Sequence, residues 1–154
     1  MKRHLSVLAL VTGALILYLS FLSHSLSEWD SFNFAMALRR FDLEADQPHP
    51  PGYALYVFLS KIAFAVCRNP LVALTSVSAI SGGMCLLPVY AVVKKMHDHQ
   101  TAVVTCLALM STRMFWLTIE KAITHMLGTF LITLAICLLY LGLTGERIRG
   151  DISS

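Results

Sequence analysis

The sequence predicts an all-α, polytopic membrane protein with four transmembrane helices and further interfacial helices in its first external loop. Three observations predict it. The 154 residues are 56% hydrophobic and 14% charged, with a mean hydropathy of +0.69, where a soluble domain is about 45–50% apolar and about 25% charged. The excess apolar residues fall into blocks near the ~20 residues that cross a hydrocarbon core about 30 Å thick. The basic residues stand at the ends of those blocks rather than on one face.

The first block, Leu5–Ser23, follows Met1-Lys2-Arg3-His4 and so imitates a signal peptide. It is longer than a usual h-region, and His24-Ser25-Leu26-Ser27-Glu28-Trp29 supplies no small-x-small cleavage site, so it reads as a retained signal anchor. The second block covers about 71–93, opening after Asn69-Pro70 and ending at Lys94-Lys95. The third covers about 101–117. The fourth covers about 122–143, closed by Thr144-Gly145 and a polar tail. The segment 53–66 is apolar but has 14 residues and carries Lys61 in its middle. A central lysine costs roughly 2.5–3.5 kcal/mol on insertion scales, and at that length an interfacial or re-entrant helix is expected rather than a span.

Charge sets the orientation. With four spans and a cytoplasmic N-terminus, six basic residues fall in 22 inside positions and five in 51 outside positions, as the positive-inside rule prefers. If 53–66 crossed instead, Lys94 and Lys95 would face outward.

The external loop, about 24–70, is the least membrane-like part. Ser27-Glu28-Trp29-Asp30 reads as a helix start, with Ser27 as N-cap and acids in the first turn. Trp29, Phe32, Phe34, Ala35, Leu38 and Phe41 give an apolar side suited to a helix in the interface plane, with Arg39 and Arg40 beyond. Residues 42–47 are polar loop, and Pro48-His49-Pro50-Pro51-Gly52 cannot be helix interior.

Some functions are excluded or disfavoured. Nucleic-acid binding needs a clustered basic stripe, which a net charge of +3 spread over block ends does not provide. Cys67, Cys85, Cys106 and Cys137 form no C-x-x-C pair, and three lie in apolar blocks as small hydrophobes. A small transporter subunit would carry an acid at mid-depth of a span, and none is present. A non-catalytic scaffold or assembly protein stays open. The small-residue run Ser76, Ser78, Ala79, Ser81, Gly82, Gly83 suits close helix packing in either case.

The span assignment brings Asp30, the Pro48–Gly52 segment, Arg113, and Glu120-Lys121 with His125 to the outer face. Asp30, flanked by Trp29 and Phe32 at a membrane exit, is a candidate base for an acceptor hydroxyl, since partial desolvation raises a carboxylate's pKa. The alternative is a first-turn acid favoured by the helix dipole. His49 between prolines is either a fixed ligand contact or a turn residue. Glu120 with Thr124, and Lys121 with His125, are spaced i, i+4, which places each pair on one helix side. Arg113, Lys61 and Arg68 either hold a lipid phosphate or snorkel to the interface.

At Trp29-Asp30-Ser31 and Pro48-His49-Pro50-Pro51-Gly52-Tyr53-Ala54-Leu55-Tyr56 the sequence resembles the GT-C glycosyltransferases. It is closest to the branch related to protein O-mannosyltransferases and the lipid A aminoarabinose transferase. Lys94-Lys95 and Phe115-Trp116 match the basic pair and aromatic-Trp segment of that pattern. The resemblance implies inverting transfer of a sugar from a polyprenyl phosphate at the external face of a bacterial or archaeal plasma membrane. It makes Asp30 the base and gives Glu120 a part in placing the acceptor or a divalent metal such as Mg or Mn. Substrate contacts are expected at His49, Arg113, Lys61 and His125. Asn33 stands where relatives often carry a second acid, so the metal's ligands stay unknown; separately, Ala54 replaces the usual proline. Family members have roughly eight to thirteen spans, so the chain is expected to be an N-terminal part, inactive alone, whose partners are membrane lipids, the lipid-linked sugar and the missing C-terminal part. Glu28, on the other side of Trp29, is expected to tolerate substitution by glutamine.

Overall fold

The computed structural model describes residues 2–26 and 28–152, with side chains for 5–26 and 28–144. Seven helices are present among them: α1 (Lys2–Ser20), α2 (Trp29–Ala37), α3 (Ala54–Cys67), α4 (Pro70–Met96), α5 (His99–Ser111), α6 (Arg113–Glu120) and α7 (His125–Ile152). The all-α expectation holds.

α4 is the axis of the fold. The Asn69 side chain accepts hydrogen bonds from the backbone amides of Leu71 and Val72 at 3.0 and 3.3 Å. Pro70 follows at the first helical position, where its missing donor costs nothing. Lys94 and Lys95 close the last turn, complementing the helix dipole. Two apolar clusters pack on α4. One joins Val11, Ala14 and Tyr18 of α1 to Leu86 and Tyr90 of α4, Cys106 of α5 and Phe115 and Ile119 of α6. The other joins Phe34 and Ala37 of α2, Tyr56 and Val57 of α3, and Ala73, Leu74 and Val77 of α4.

Small residues make this crowding possible. Ser78, Ala79, Ser81, Gly82 and Gly83 are buried. A Cβ at Gly82 would lie 2.6 Å from Ile119 Cγ1 of α6, and one at Gly83 would run into Leu15 of α1. Close backbone approach over small residues is how helices pack where lipid removes the hydrophobic drive between them. The most apolar window of α4 is 67% buried inside the protein, whereas that of α7 is 17% buried and faces outward.

Two helices, Pro70–Met96 and His125–Thr144, are long and apolar enough to cross a bilayer, and α5 with α6 gives a third if the bent pair is one span. The block expected over 101–117 is not one straight helix: α5 and α6 meet at 63°. Thr112 is extended there (φ −73°, ψ 132°). The Ser111 and Thr112 hydroxyls donate to the carbonyls of Leu107 and Leu109 at 2.9 and 2.8 Å, so the break leaves those acceptors satisfied. The block expected over 122–143 begins only at His125, and its helix runs past Thr144-Gly145 to Ile152. Gly145 and Gly150 each cost a helix about 1 kcal/mol, and Glu146, Arg147 and Arg149 near them are good helix formers. α3 has 14 residues, about 21 Å at 1.5 Å per residue, short of the hydrocarbon thickness.

The Gly82 contact generates a test. Gly82→Ala should destabilise the protein by about 1–3 kcal/mol through overpacking against Ile119. Thermal unfolding in detergent should show a smaller penalty in an Ile119→Ala background. Equal penalties in both backgrounds would mean that α4 and α6 do not meet at this point.

Candidate functional site

Three chain segments converge at one end of α4. The first is the start of α2. Its N-cap position is held by Glu28, with Asp30 in the first turn, and the expected cap Ser27 lies outside the described residues. The helix does not lay all its aromatic residues to one side. Phe34 and Ala37 are buried against α3 and α4, while Trp29 and Phe32 are 78% and 51% exposed. Asp30 is accordingly half exposed rather than enclosed by them.

The second segment is the loop before α3. Asp42 and Gln47 exchange backbone hydrogen bonds at 2.7 and 2.8 Å. Arg40 pairs with Asp42 at 2.7 Å. The peptide bonds before Pro48 and Pro51 are cis, and Gly52 adopts φ +89°, with its amide donating to the His49 carbonyl at 2.9 Å. Positive φ is open to glycine because it has no Cβ. This turn sets the His49 ring beside Phe34 and Tyr53, with centroids 6.3 and 5.5 Å away. His49 Nδ1 is buried without a hydrogen bond and faces Asp30 Oδ1 at 3.5 Å, just beyond bonding geometry.

The third segment is the junction between α6 and α7. The i, i+4 pairing of Glu120 with Thr124 and of Lys121 with His125 does not form, because the helix stops at Glu120 and restarts at His125. Lys121 is extended (φ −81°, ψ 147°). Its Nζ donates to Glu28 Oε1 at 2.6 Å, joining residues 93 apart. The junction is fixed from below by a buried relay. Tyr56 Oη donates to the Leu74 carbonyl at 3.0 Å and lies 3.4 Å from Ser78 Oγ. Ser78 Oγ in turn donates to the Ile123 carbonyl at 3.0 Å.

Glu28, Asp30, Lys121 and His125 line a cleft of about 390 Å³, whose apolar wall includes Leu117 and Ile123. Of the residues expected to act, Asp30 and His125 line this cleft, and His49 lies outside its lining, beside Asp30. Glu120, Arg113 and Lys61 do not line the cleft: Arg113 is exposed at the far end of α6, and Lys61 sits in the middle of α3. Sequence reasoning did not foresee the contact of Glu28 with Lys121. Spacing carries no signal for a pair so far apart in the chain. His125 also lines a second, mainly apolar cleft of about 360 Å³ with Tyr53, Tyr56, Leu127 and Leu131.

The donor set does not fit a metal ion. No group of three or more His, Cys, Asp or Glu side chains is placed to hold one among the described residues, and Glu28 is engaged by Lys121. What the arrangement offers is a half-exposed carboxylate, an imidazole behind it and an ammonium across from it.

Apolar helices with a polar cleft at their end mark a membrane protein. The family model for dolichyl-phosphate-mannose-protein mannosyltransferase matches residues 48–151, from the Pro48–Gly52 segment through α7. The chain belongs to this family, one of membrane glycosyltransferases of the GT-C type. Glu28 and Asp30 lie before the matched region. No curated protein matches the chain, and no solved structure does.

Lys121 holds the Glu28 carboxyl below its ordinary 4.5, first through the hydrogen bond and then through its charge. A carboxyl lowered on folding adds stability above its unfolded value, and that gain is lost as pH falls through the lowered value. Lys121→Met should therefore reduce Tm most near neutral pH, with the gap to the unsubstituted protein closing as pH drops below 4.5. A gap that does not change with pH would show that the pair does not stabilise the fold.

Proposed function

We propose that the cleft is the acceptor-activating site of an inverting glycosyltransferase that takes its sugar from a polyprenyl phosphate. The observation that carries this reading is Asp30: a half-exposed carboxylate in a cleft, 3.5 Å from a buried imidazole nitrogen of His49. Asp30 takes the proton of an acceptor hydroxyl as that oxygen bonds to the anomeric carbon. The bond from that carbon to the phosphate oxygen breaks, and the lipid phosphate leaves with the electron pair. The His49 ring lies behind the carboxylate, and positive charge in the cleft offsets the charge developing on the phosphate. Glu120 is the second candidate acid. Arg113 and Lys61 are contacts for lipid or acceptor outside the cleft.

In this reading α1, α4, the α5–α6 pair and α7 form four spans of a plasma membrane. The N-terminus is cytoplasmic and the cleft faces outward. The basic residues at the other end of the molecule, Lys94 and Lys95 among them, support the orientation. A cysteine placed at exposed Ala45, on a background without the native cysteines, should react with an impermeant reagent in intact cells, and one at exposed Gln100 should not. The reverse pattern would invert the topology.

Asp30→Asn keeps size and polarity while removing the proton acceptor. Introduced at the chromosomal locus and assayed in native membranes, it should lower transfer by about 10²–10⁴, the usual loss on removing a general base. Glu44→Gln, exposed in the 42–47 loop, is the control. Normal transfer by Asp30→Asn with loss in Glu120→Gln would move the base to the end of α6.

A further inference from the structure

Lys121 is the ammonium of the cleft, and in this structure its charge is already answered. Glu28 occupies the N-cap position of α2, where a side chain would ordinarily accept from the helix's first amides, yet it makes no cap bond. Its carboxylate reaches across the cleft to Lys121 instead. Both side chains remain partly open, Lys121 at 35% and Glu28 at 45% exposure. An ion pair so accessible is worth little net free energy and exchanges readily.

The surroundings favour a particular replacement anion. Any anion entering with Glu28 in place would meet two carboxylates, Glu28 and Asp30, on the cleft wall. Once Glu28 swings away, Lys121 and the imidazole of His125 face the same space. A phosphate offers several charged oxygens to that pair, where a carboxylate offers two. His125 is also shared with the apolar cleft lined by Tyr53, Leu127 and Leu131. A phosphate at Lys121 therefore has room for an attached hydrocarbon chain beside it, which an inorganic ion would leave unused.

We propose that Glu28 is a resident counter-ion occupying the anion site of Lys121, and that the phosphate of a lipid-linked donor displaces it. The inference rests on the reading that this cleft handles such a donor. The exchange makes Lys121 the specificity-determining cation, and it frees the first turn of α2, which carries Asp30, at the moment the donor binds.

A carbodiimide converts a carboxylate in contact with an amine into an amide, with the carbodiimide taking up the oxygen as a urea. In the unliganded protein it should join Glu28 to Lys121, detected as a cross-linked peptide. Farnesyl phosphate should reduce that product by about threefold or more, since exchange need overcome only a partly exposed pair. Farnesol, inorganic phosphate and phosphatidylglycerol vesicles at matched concentration should not. Glu28→Gln should bind farnesyl phosphate about two- to fivefold more tightly, the worth of one such pair, and the gain should vanish in a Lys121→Met background. A cross-link unaffected by farnesyl phosphate would overturn the proposal. So would equal suppression by any of the three controls, or a Glu28→Gln gain that survives loss of Lys121. The readout is an amide between Glu28 and Lys121 rather than transfer, so a wrong base assignment at Asp30 would leave it unchanged.

Discussion

The cleft depends on how closely α4 lets other helices approach it. Along Ser78–Gly83 its surface is almost bare backbone, with Ile119 of α6 resting where a Gly82 side chain would be and Leu15 of α1 where a Gly83 side chain would be. That proximity draws the α6–α7 junction inward until Ser78 Oγ can donate to the Ile123 carbonyl. On the neighbouring face Tyr56 bonds to Leu74, which fixes α3 and the turn before it. The α6–α7 wall of the polar cleft is thus tied directly to α4, and the α2 wall through Phe34, which packs in one cluster with Tyr56 and Leu74. Interiors packed at this density transmit a change of one methyl group, so substitutions on α4 would be felt at Asp30 and Lys121 without touching them.

The polar side chains of the cleft collect at the places where helices stop. Lys121 and His125 flank the interruption between α6 and α7, and Glu28 and Asp30 open α2. His49 rides on a turn that proline and Gly52 prevent from becoming helix. An unbroken helix would have leaned the Lys121 side chain back over its own preceding turn. The interruption leaves it extended, and its ammonium meets a carboxylate from the first loop. The polar termini of α2 and α6 and the mainly apolar Tyr53–Leu131 cleft adjoin through His125, a combination suited to a substrate with a charged head and a hydrocarbon tail.

The sequence made the helical class, the long second and fourth apolar blocks and the short third helix legible, because length and hydropathy decide those features directly. Asp30 was legible as a first-turn acid, and the Pro48–Gly52 turn through its prolines. The break at Thr112 was not, since hydropathy runs straight through it. What allows the bend is hydroxyl bonding by Ser111 and Thr112, which a transfer scale does not register. The i, i+4 pairs at 120–125 failed for the same reason: the rule presumes a continuous helix. The Glu28–Lys121 pair was not legible, because its partners are 93 residues apart and only tertiary packing joins them. The aromatic residues of α2 divided between two faces because Phe34 found an interior to fill, while Trp29 and Phe32 did not.

The central claim is that transfer takes place in the cleft between α2 and the α6–α7 junction, and not around the open depression of about 560 Å³ at the other end, lined by Lys94, His97, Asp98, His99 and Gln100. A polyprenyl-phosphate sugar carrying a photoreactive group on the sugar, irradiated in native membranes, tests this most directly by mapping the labelled peptides. The account predicts label on the segments bearing Glu28–Asp30 and Met114–His125, reduced by an excess of unmodified donor. Label confined to the Lys94–Gln100 segment would contradict it.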